Sequence, residues 1–146
     1  MLTGDKIETA INIGFSCRLL DQEMEMFIID ATSTKDIYKQ LQEFNENDVD
    51  IGLSREKAVV VAGDSLGKIL QAEGKNAVLI DLFIKLTDNA TSVLCCRVSP
   101  KQKAEVVKLI QNSKQGVTTL SIGDGANDVN MITAANIGIG ISGLEG

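Results

Sequence analysis

The sequence predicts an α/β protein built on a doubly wound, mostly parallel β-sheet with helices on both faces. Three observations lead to this prediction. Apolar runs typical of strands alternate with helical patterns along the chain, which favours right-handed crossovers between parallel strands. The run Lys57–Ala62 is continuous and rich in valine, as in a strand covered on both faces. Glycines and carboxylates directly follow another apolar run, at 117–122, where open α/β sheets bind ligands.

The periodicity of apolar residues gives the order of the elements. The prediction reads helix 6–20, strand 24–29, helix 33–44, acidic loop 45–56, strand 57–62, helices 66–71 and 77–87, buried strand 92–97, helix 101–112, buried strand 117–122, short helix 128–135 and strand 136–141. Pro100 suits the start of its helix, because the first turn does not need the missing N–H.

Length and composition limit the classes of protein to consider. The 146 residues suffice for one domain with one core, so we predict a single domain over 1–146. A hydrophobic fraction of 44% indicates a globular chain, and the net charge of −6 argues against nucleic acid as a partner. No run approaches the ~18 apolar residues that span a bilayer. Three cysteines without any histidine do not form a zinc motif, and we expect reduced thiols.

The first residues favour a fragment. The chain opens almost directly on Thr3-Gly4-Asp5, a turn signal that ordinarily follows a strand. We therefore expect a sheet truncated at its N-terminal side. A sheet that lacks a strand presents an unpaired edge, and such edges pair with other chains. We accordingly expect a dimer or pairing with a partner strand.

The stretch Gly-Asp-Gly-Ala-Asn-Asp at 123–128 carries the clearest chemical signal. Asp124 lies just past a predicted strand, and Asp128 opens the next helix. Two such carboxylates repel unless a cation joins them, and Mg²⁺ prefers oxygen ligands. Gly123 and Gly125 should permit positive φ and close approach of a ligand. The sequence thus predicts a magnesium site at Asp124 and Asp128; the alternative is a solvated turn with a helix cap.

Other polar residues are expected at the same edge of the sheet. Thr3 offers a hydroxyl, Arg97 can bind phosphate through two N–H groups, and Lys103 can hold a developing negative charge. Together with Asp124 these groups describe a site for phosphoryl transfer. Taken singly, Arg97 and Lys103 could be solvated cations and Asn127 a helix cap. Their combination at one edge favours the site.

Four stretches resemble P-type ATPases, and more narrowly the P4 group, the phospholipid-transporting flippases. Gly123–Asp128 matches a motif that all P-type ATPases share with many haloacid-dehalogenase-like phosphatases. The other three stretches, which are typical of flippases, are Leu2–Gly14, Cys95–Ala104 and Gly140–Gly146. The resemblance implies the carboxyl-terminal part of a phosphorylation domain with a haloacid-dehalogenase-like, Rossmann-type fold. It also implies a cytosolic domain of an integral membrane protein, with the fragment itself soluble.

The resemblance assigns roles to matching residues. Thr3, Gly4 and Asp5 would line the nucleotide and phosphate site, and Arg97 would help hold ATP. Lys103 would stabilise the phosphoryl group. Asp124 would bind Mg²⁺, and Asn127 and Asp128 would complete the phosphate and metal site, so that Lys103, Asp124 and Asp128 are the catalytic candidates. The cofactor would be Mg²⁺ with ATP as substrate, and phospholipid would bind through membrane helices absent from this chain.

One departure from the family pattern matters for activity. The family's nucleophile is the first aspartate of an Asp-Lys-Thr-Gly motif, which this chain does not contain. Without that carboxylate no aspartyl phosphate can form, so we expect an inactive fragment with poor metal affinity. Two alternatives remain open. One is a small phosphatase of the same superfamily, which needs an amino-terminal Asp-x-Asp or Asp-x-Thr; the other is a non-catalytic module that keeps the fold.

Overall fold

The computed structural model describes residues 1–143. The described chain divides into two compact units, Met1–Arg97 and Val98–Gly146, and each is considered by itself. The single domain predicted over 1–146 therefore stays a prediction. Both units contain parallel strands connected through helices, which confirms the predicted α/β class, although the strands lie in two small sheets.

The first unit is a three-stranded parallel sheet in the order β1 (Glu25–Ile29), β2 (Lys57–Ala62), β3 (Ser92–Cys96). Its helices are α1 (Ile7–Ser16), α2 (Thr34–Ile51), α3 (Gly63–Leu70) and α4 (Val78–Asp88), with a short 3-10 turn at Gly74–Ala77. Leu2 adds a single parallel bridge to Cys95, so the first residues lie beside β3. The expected alternation of strands and helices is confirmed in this unit.

The core of this unit lies on both faces of β2. Its central residues, Ala58 to Val61, are completely buried, as the valine-rich run predicted. On one face Val60 packs with Ala10 of α1 and Leu94 of β3. Strand side chains alternate between faces, so Val59 and Val61 face the other side, where α2 contacts β1 and α3 contacts β2. Helices therefore cover both faces of this sheet.

Helix α2 corrects one expectation. We predicted a loop over 45–56, but the helix continues to Ile51 and ends at Gly52, whose φ is +59°. The extension is held by two buried polar side chains, Asn45 and Asp48. Asn45 donates to the carbonyls of Leu41 and Leu82, and Asp48 forms a buried ion pair with Lys57 at 2.6 Å. Polar residues in this stretch face inward, which their composition did not indicate.

The second unit contains α5 (Pro100–Ser113), β4 (Leu120–Gly123), a 3-10 turn at Ala126–Asp128, α6 (Val129–Ala134) and β5 (Ile137–Gly140). Strands β4 and β5 pair in parallel, with Leu120 opposite Ile137 and Ile122 opposite Ile139. Helix α6 packs on both strands and on α5. Pro100 is the first residue of α5, as predicted.

The prediction of a buried strand at 117–122 is largely wrong, because only Ser121 of these six residues is buried and the strand itself begins at Leu120. Leu120 is 56% exposed and Ile122 51% exposed, while Ser121 between them is buried. Because paired residues of neighbouring strands share a face, Ile137 and Ile139 lie beside them, also exposed. We call these four side chains the aliphatic face of the second unit.

The three cysteines are free thiols, and their surroundings differ. Cys95 and Cys96 are buried in β3, whereas Cys17 is exposed after α1. Burial raises the pKa of Cys95 to about 12 and also raises the pKa of Cys96. Both β3 thiols therefore stay protonated and unreactive near neutral pH while the sheet is intact.

Candidate functional site

In the first unit, the predicted site residues 3–5 form a tight turn beside the end of β3. The N–H of Thr3 donates to the carbonyl of Cys95 at 2.9 Å, which fixes the start of the turn. The Thr3 hydroxyl donates to Asp5 Oδ2 and accepts from the Asp5 N–H, both at 3.1 Å. Gly4 and Asp5 are exposed at this edge. The Thr3 hydroxyl is thus oriented by its own loop.

Arg97 lies against this turn. Its N–H donates to the carbonyl of Asp5 at 2.9 Å, directly after the last residue of β3. Its φ is +53°, a left-handed conformation that is uncommon for residues other than glycine. Its side chain is exposed and, with Lys6 and Asp30, lines a cavity of about 190 Å³. The structure therefore brings Asp5 and Arg97 together at the carboxyl edge of the first sheet.

In the second unit, Lys103 and Asp128 form a buried ion pair. Ser99 caps α5 by accepting from the Gln102 N–H, and the Lys103 N–H donates to the Ser99 carbonyl at 3.0 Å. This cap fixes the first turn, from which Lys103 extends inward. Its Nζ donates to Asp128 Oδ1 at 2.8 Å, and both residues are less than 10% exposed. The contact with Asp128 therefore fixes the position of the Lys103 ammonium group.

The second oxygen of Asp128 holds the loop before it. Oδ2 accepts from the N–H groups of Asp124 at 3.2 Å and Gly125 at 3.3 Å. A Cβ on Gly123 would lie 2.4 Å from the Cβ of Asp128, so only glycine fits there. Gly123 and Gly125 do not have positive φ, which makes that expectation wrong; Gly123 is required because Asp128 approaches closely.

The charge of Asp128 is stabilised in spite of its burial. Burial raises the pKa of this carboxyl, but the hydrogen bond from Lys103 and those from the Gly125 and Asp124 N–H groups outweigh burial. The pKa therefore lies below its ordinary value, and Asp128 is an anion at neutral pH. Its role in the described structure is to position Lys103 and the loop.

Asp124 and Asn127 differ from Asp128 in being exposed. Asp124 borders a cavity of about 440 Å³ at the carboxyl ends of β4 and β5, which Gly125, Gly140 and Ser142 also line. Its carboxylate makes no hydrogen bond within residues 1–143 and remains available to a ligand. Both predicted site residues thus face solvent at this edge.

These contacts bear on the predicted magnesium ligands. Asp124 fits the role, because its oxygens are exposed and uncommitted. Both Asp128 oxygens already have partners, so that residue is less suited to bind metal than predicted, and its metal role stays a prediction. Within residues 1–143 no group of three acidic, histidine or cysteine side chains surrounds one point. Asp124 alone would give weak magnesium binding.

The structure divides the eight predicted site residues equally. Thr3, Gly4, Asp5 and Arg97 belong to the first unit, and Lys103, Asp124, Asn127 and Asp128 to the second. The sequence pointed to all eight positions, whose roles in a site stay predictions, but it did not indicate the ion pair between Lys103 and Asp128. A faint signal existed, because Lys103 lies one turn after Ser99 and four residues before the buried Val107 on the same helix.

Comparison with known proteins gives one consistent result. No family model matches the chain. Over its whole length, the chain is 45% identical to the phospholipid-transporting ATPase DRS2 of Saccharomyces cerevisiae and 45% identical to tat-1 of Caenorhabditis elegans, also named a phospholipid-transporting ATPase. It is 44% identical to phospholipid-transporting ATPase 10 of Arabidopsis thaliana. The chain spans only 11%, 12% and 13% of these relatives. None of the helices within residues 1–143 has the length and apolarity of a membrane span.

Proposed function

We propose that this chain, which belongs as a segment to the phospholipid-transporting ATPase family, supplies the phosphate- and magnesium-binding part of a phosphorylation site. The observation that carries the proposal is a match of 41–45% identity over the full chain that includes the Gly-Asp-Gly-Ala-Asn-Asp loop. In the whole protein, ATP would phosphorylate an aspartate outside these 146 residues. Hydrolysis of that aspartyl phosphate would drive the movement of phospholipid from one leaflet to the other. The phosphorylation domain itself would lie in the cytosol.

The residues of the second unit would act on the phosphoryl group. Lys103 would place its ammonium against the phosphoryl oxygens, where a fixed positive charge stabilises the charge that develops during transfer. Asp128 would keep that ammonium in position, as its 2.8 Å contact supports. Asn127 would donate its amide N–H to phosphate. Each of these roles needs a side chain that is already placed before the substrate arrives.

Magnesium would bind at Asp124, with Asp128 as the further predicted ligand. When bound, the ion would offset the negative charge of the phosphates. The exposed Asp124 carboxylate supports this assignment. Asp128 is already paired with Lys103, so it would contribute less than Asp124 to binding the ion.

The residues of the first unit would hold the nucleotide. Arg97 would contact ATP phosphate through its guanidinium, and the turn at Thr3, Gly4 and Asp5 would line the same site. The hydrogen bond from Arg97 to the Asp5 carbonyl supports a common role, because it fixes both at one edge of the sheet.

The 146-residue chain should bind phosphate without turning ATP over. We expect inorganic phosphate to shift the amide NMR signals of Asp124 and Gly125. The double variant Lys103→Met with Asp128→Asn removes the ammonium without leaving a buried anion unpaired, and it should lose this response. With ATP labelled at the γ-phosphate and Mg²⁺, no labelled protein and no release of phosphate should appear, because the nucleophile is absent.

Two results would favour the alternatives. Turnover of ATP or of p-nitrophenyl phosphate that disappears in Asp124→Ala would indicate a complete small phosphatase and contradict the proposal. An absence of any phosphate response in the folded wild-type chain would indicate a non-catalytic module.

We also propose that two copies of this 146-residue chain pair through the aliphatic face. The two strands that carry it, Leu120–Gly123 and Ile137–Gly140, contain no charged residue that would oppose the packing of two such faces. The face and its neighbour Ile141 together present five large aliphatic side chains that are each 44–56% exposed, and contiguous exposed apolar patches mark interaction sites.

Sedimentation should therefore show a concentration-dependent dimer. The Ile122→Glu variant should be monomeric, since pairing would bury two carboxylates without partners. Glu substituted at Val129, which is exposed on α6, serves as the control for added charge and should still dimerise. A wild-type chain that stays monomeric at high concentration would contradict the pairing.

A further inference from the structure

The end of β2 meets the end of β3 more closely than a side chain would allow. Ala62, the last residue of β2, pairs with Cys96, the last residue of β3. The next residues are Gly63 and Arg97. A Cβ built on Gly63 would lie 2.1 Å from the Arg97 carbonyl oxygen and 2.8 Å from its carbonyl carbon. Both obstacles are backbone atoms, so a rotation of the side chain could not relieve the overlap.

Arg97 is held from two directions at this point. Its N–H donates to the Asp5 carbonyl, and its carbonyl packs against Gly63. Between these contacts the residue has a φ of +53°, which costs about 1 kcal/mol or more for a residue other than glycine. Such a conformation persists only where the surroundings impose it, and it is concentrated at functional sites.

We propose that Gly63 is a positioning residue for Arg97. Its missing side chain makes room for the Arg97 carbonyl, which keeps Arg97 in the left-handed conformation and its guanidinium at the cavity edge. The inference rests on the proposed function in one respect, the contact of Arg97 with ATP phosphate.

A substitution at Gly63 should act through Arg97. In Gly63→Ala the β3 end must move away, and Arg97 can no longer hold its φ. ATP is titrated into each variant in the presence of Mg²⁺, and binding is followed by NMR. We expect Gly63→Ala to bind ATP about tenfold more weakly than the wild type, and Arg97→Ala to show a similar loss. The double variant should bind no worse than Arg97→Ala alone, because both changes remove the same interaction. Asp64→Ala, an exposed neighbour in α3, is the control and should bind as wild type.

The outcomes separate the inference from the function on which it depends. If Arg97→Ala weakens ATP binding but Gly63→Ala does not, the positioning role is overturned and the proposed function stands. If Arg97→Ala has no effect, the nucleotide role of Arg97 fails and the inference fails with it. If the losses in the double variant add, Gly63 acts independently of Arg97, which also overturns the inference.

A second measurement tests the wild-type chain directly, so it is informative even where Gly63→Ala does not fold. In the wild-type chain, the Cα and Cβ chemical shifts of Arg97 and its HN–Hα coupling should report a left-handed backbone. In Gly63→Ala, if folded, these values should move toward the extended or right-handed region. An Arg97 backbone that is not left-handed in the wild-type protein would overturn the inference on its own.

Discussion

The Asp128→Ala variant should lose the folded structure of the second unit. The substitution leaves the buried Lys103 ammonium without its counter-ion and removes the acceptor of two loop N–H groups. Breaking a buried ion pair by removing one partner costs about 3–5 kcal/mol. A unit of about 50 residues has only a few kcal/mol of stability, so this loss exceeds what it can tolerate. Hydrogen exchange with mass spectrometry should show loss of protection in α5 and β4.

The control for this change is Asp124→Ala, which removes an exposed carboxylate from the same loop and should leave protection intact. The double variant Lys103→Met with Asp128→Asn should recover part of the loss, because it removes both charges and keeps a side-chain oxygen for the loop. Equal protection in Asp128→Ala and the wild type would mean that the ion pair does not hold this unit together.

The pH dependence of the same unit has a defined sign. The pKa of Asp128 is lower in the folded chain than its ordinary value of 3.8. Its contribution to stability is therefore complete above that value and is lost as the pH falls through the lower, folded pKa. The protection factors of the α5 amides, in which the slower intrinsic exchange at low pH is corrected for, should fall on acidification below this point, and Asp128→Asn should show a weaker dependence.

The Asp48→Ala variant should destabilise the first unit by about 3–5 kcal/mol, as expected for an ammonium left unpaired in the interior. Asp48 and Lys57 are each about 95% buried, and their contact of 2.6 Å is an ion pair whose angles fall outside hydrogen-bond geometry. Lys57 Nζ also donates to the Gly52 carbonyl, and Asn89 donates to Asp48 Oδ2 at 3.0 Å. The cluster thus connects α2, β2 and the residue after α4. Urea denaturation followed by circular dichroism measures the loss.

A matched variant exists on the same helix. Asp50→Ala removes an exposed carboxylate from α2, and we expect a change within about 0.5 kcal/mol. The double variant Asp48→Leu with Lys57→Met should restore most of the stability, since apolar groups of similar volume commonly replace a buried pair without loss. If Asp48→Ala and Asp50→Ala are equally stable, the cluster contributes little.

The sequence predicted those features that depend on neighbours along the chain. The valine-rich run gave β2, and Pro100 gave the start of α5, because each signal is local. The inward direction of Asn45 and Asp48 was missed, since their partners Lys57, Leu82 and Asn89 are between 9 and 41 residues away. For the same reason the spacing of Asp124 and Asp128 indicated a metal pair, whereas Asp128 bonds to Lys103, 25 residues earlier.

The exposure of β4 shows a second kind of feature that the sequence could not predict, the burial of a strand. Its apolar run has the composition of a buried strand, and composition alone does not reveal whether a second layer covers the strand. Ser121 is buried while Leu120 and Ile122 on either side are exposed. The local pattern therefore predicted the presence of a strand correctly but predicted its burial incorrectly.

The distribution of thiols gives the first unit a built-in chemical reporter. Only Cys17 is exposed, so a maleimide should label a native chain once. Cys95 and Cys96 lie in β3 with raised pKa values and become accessible only when the sheet opens. The rate at which the second and third thiols are alkylated therefore measures how fast the sheet opens. No added probe is needed, either in the wild-type chain or in any variant that keeps the three cysteines.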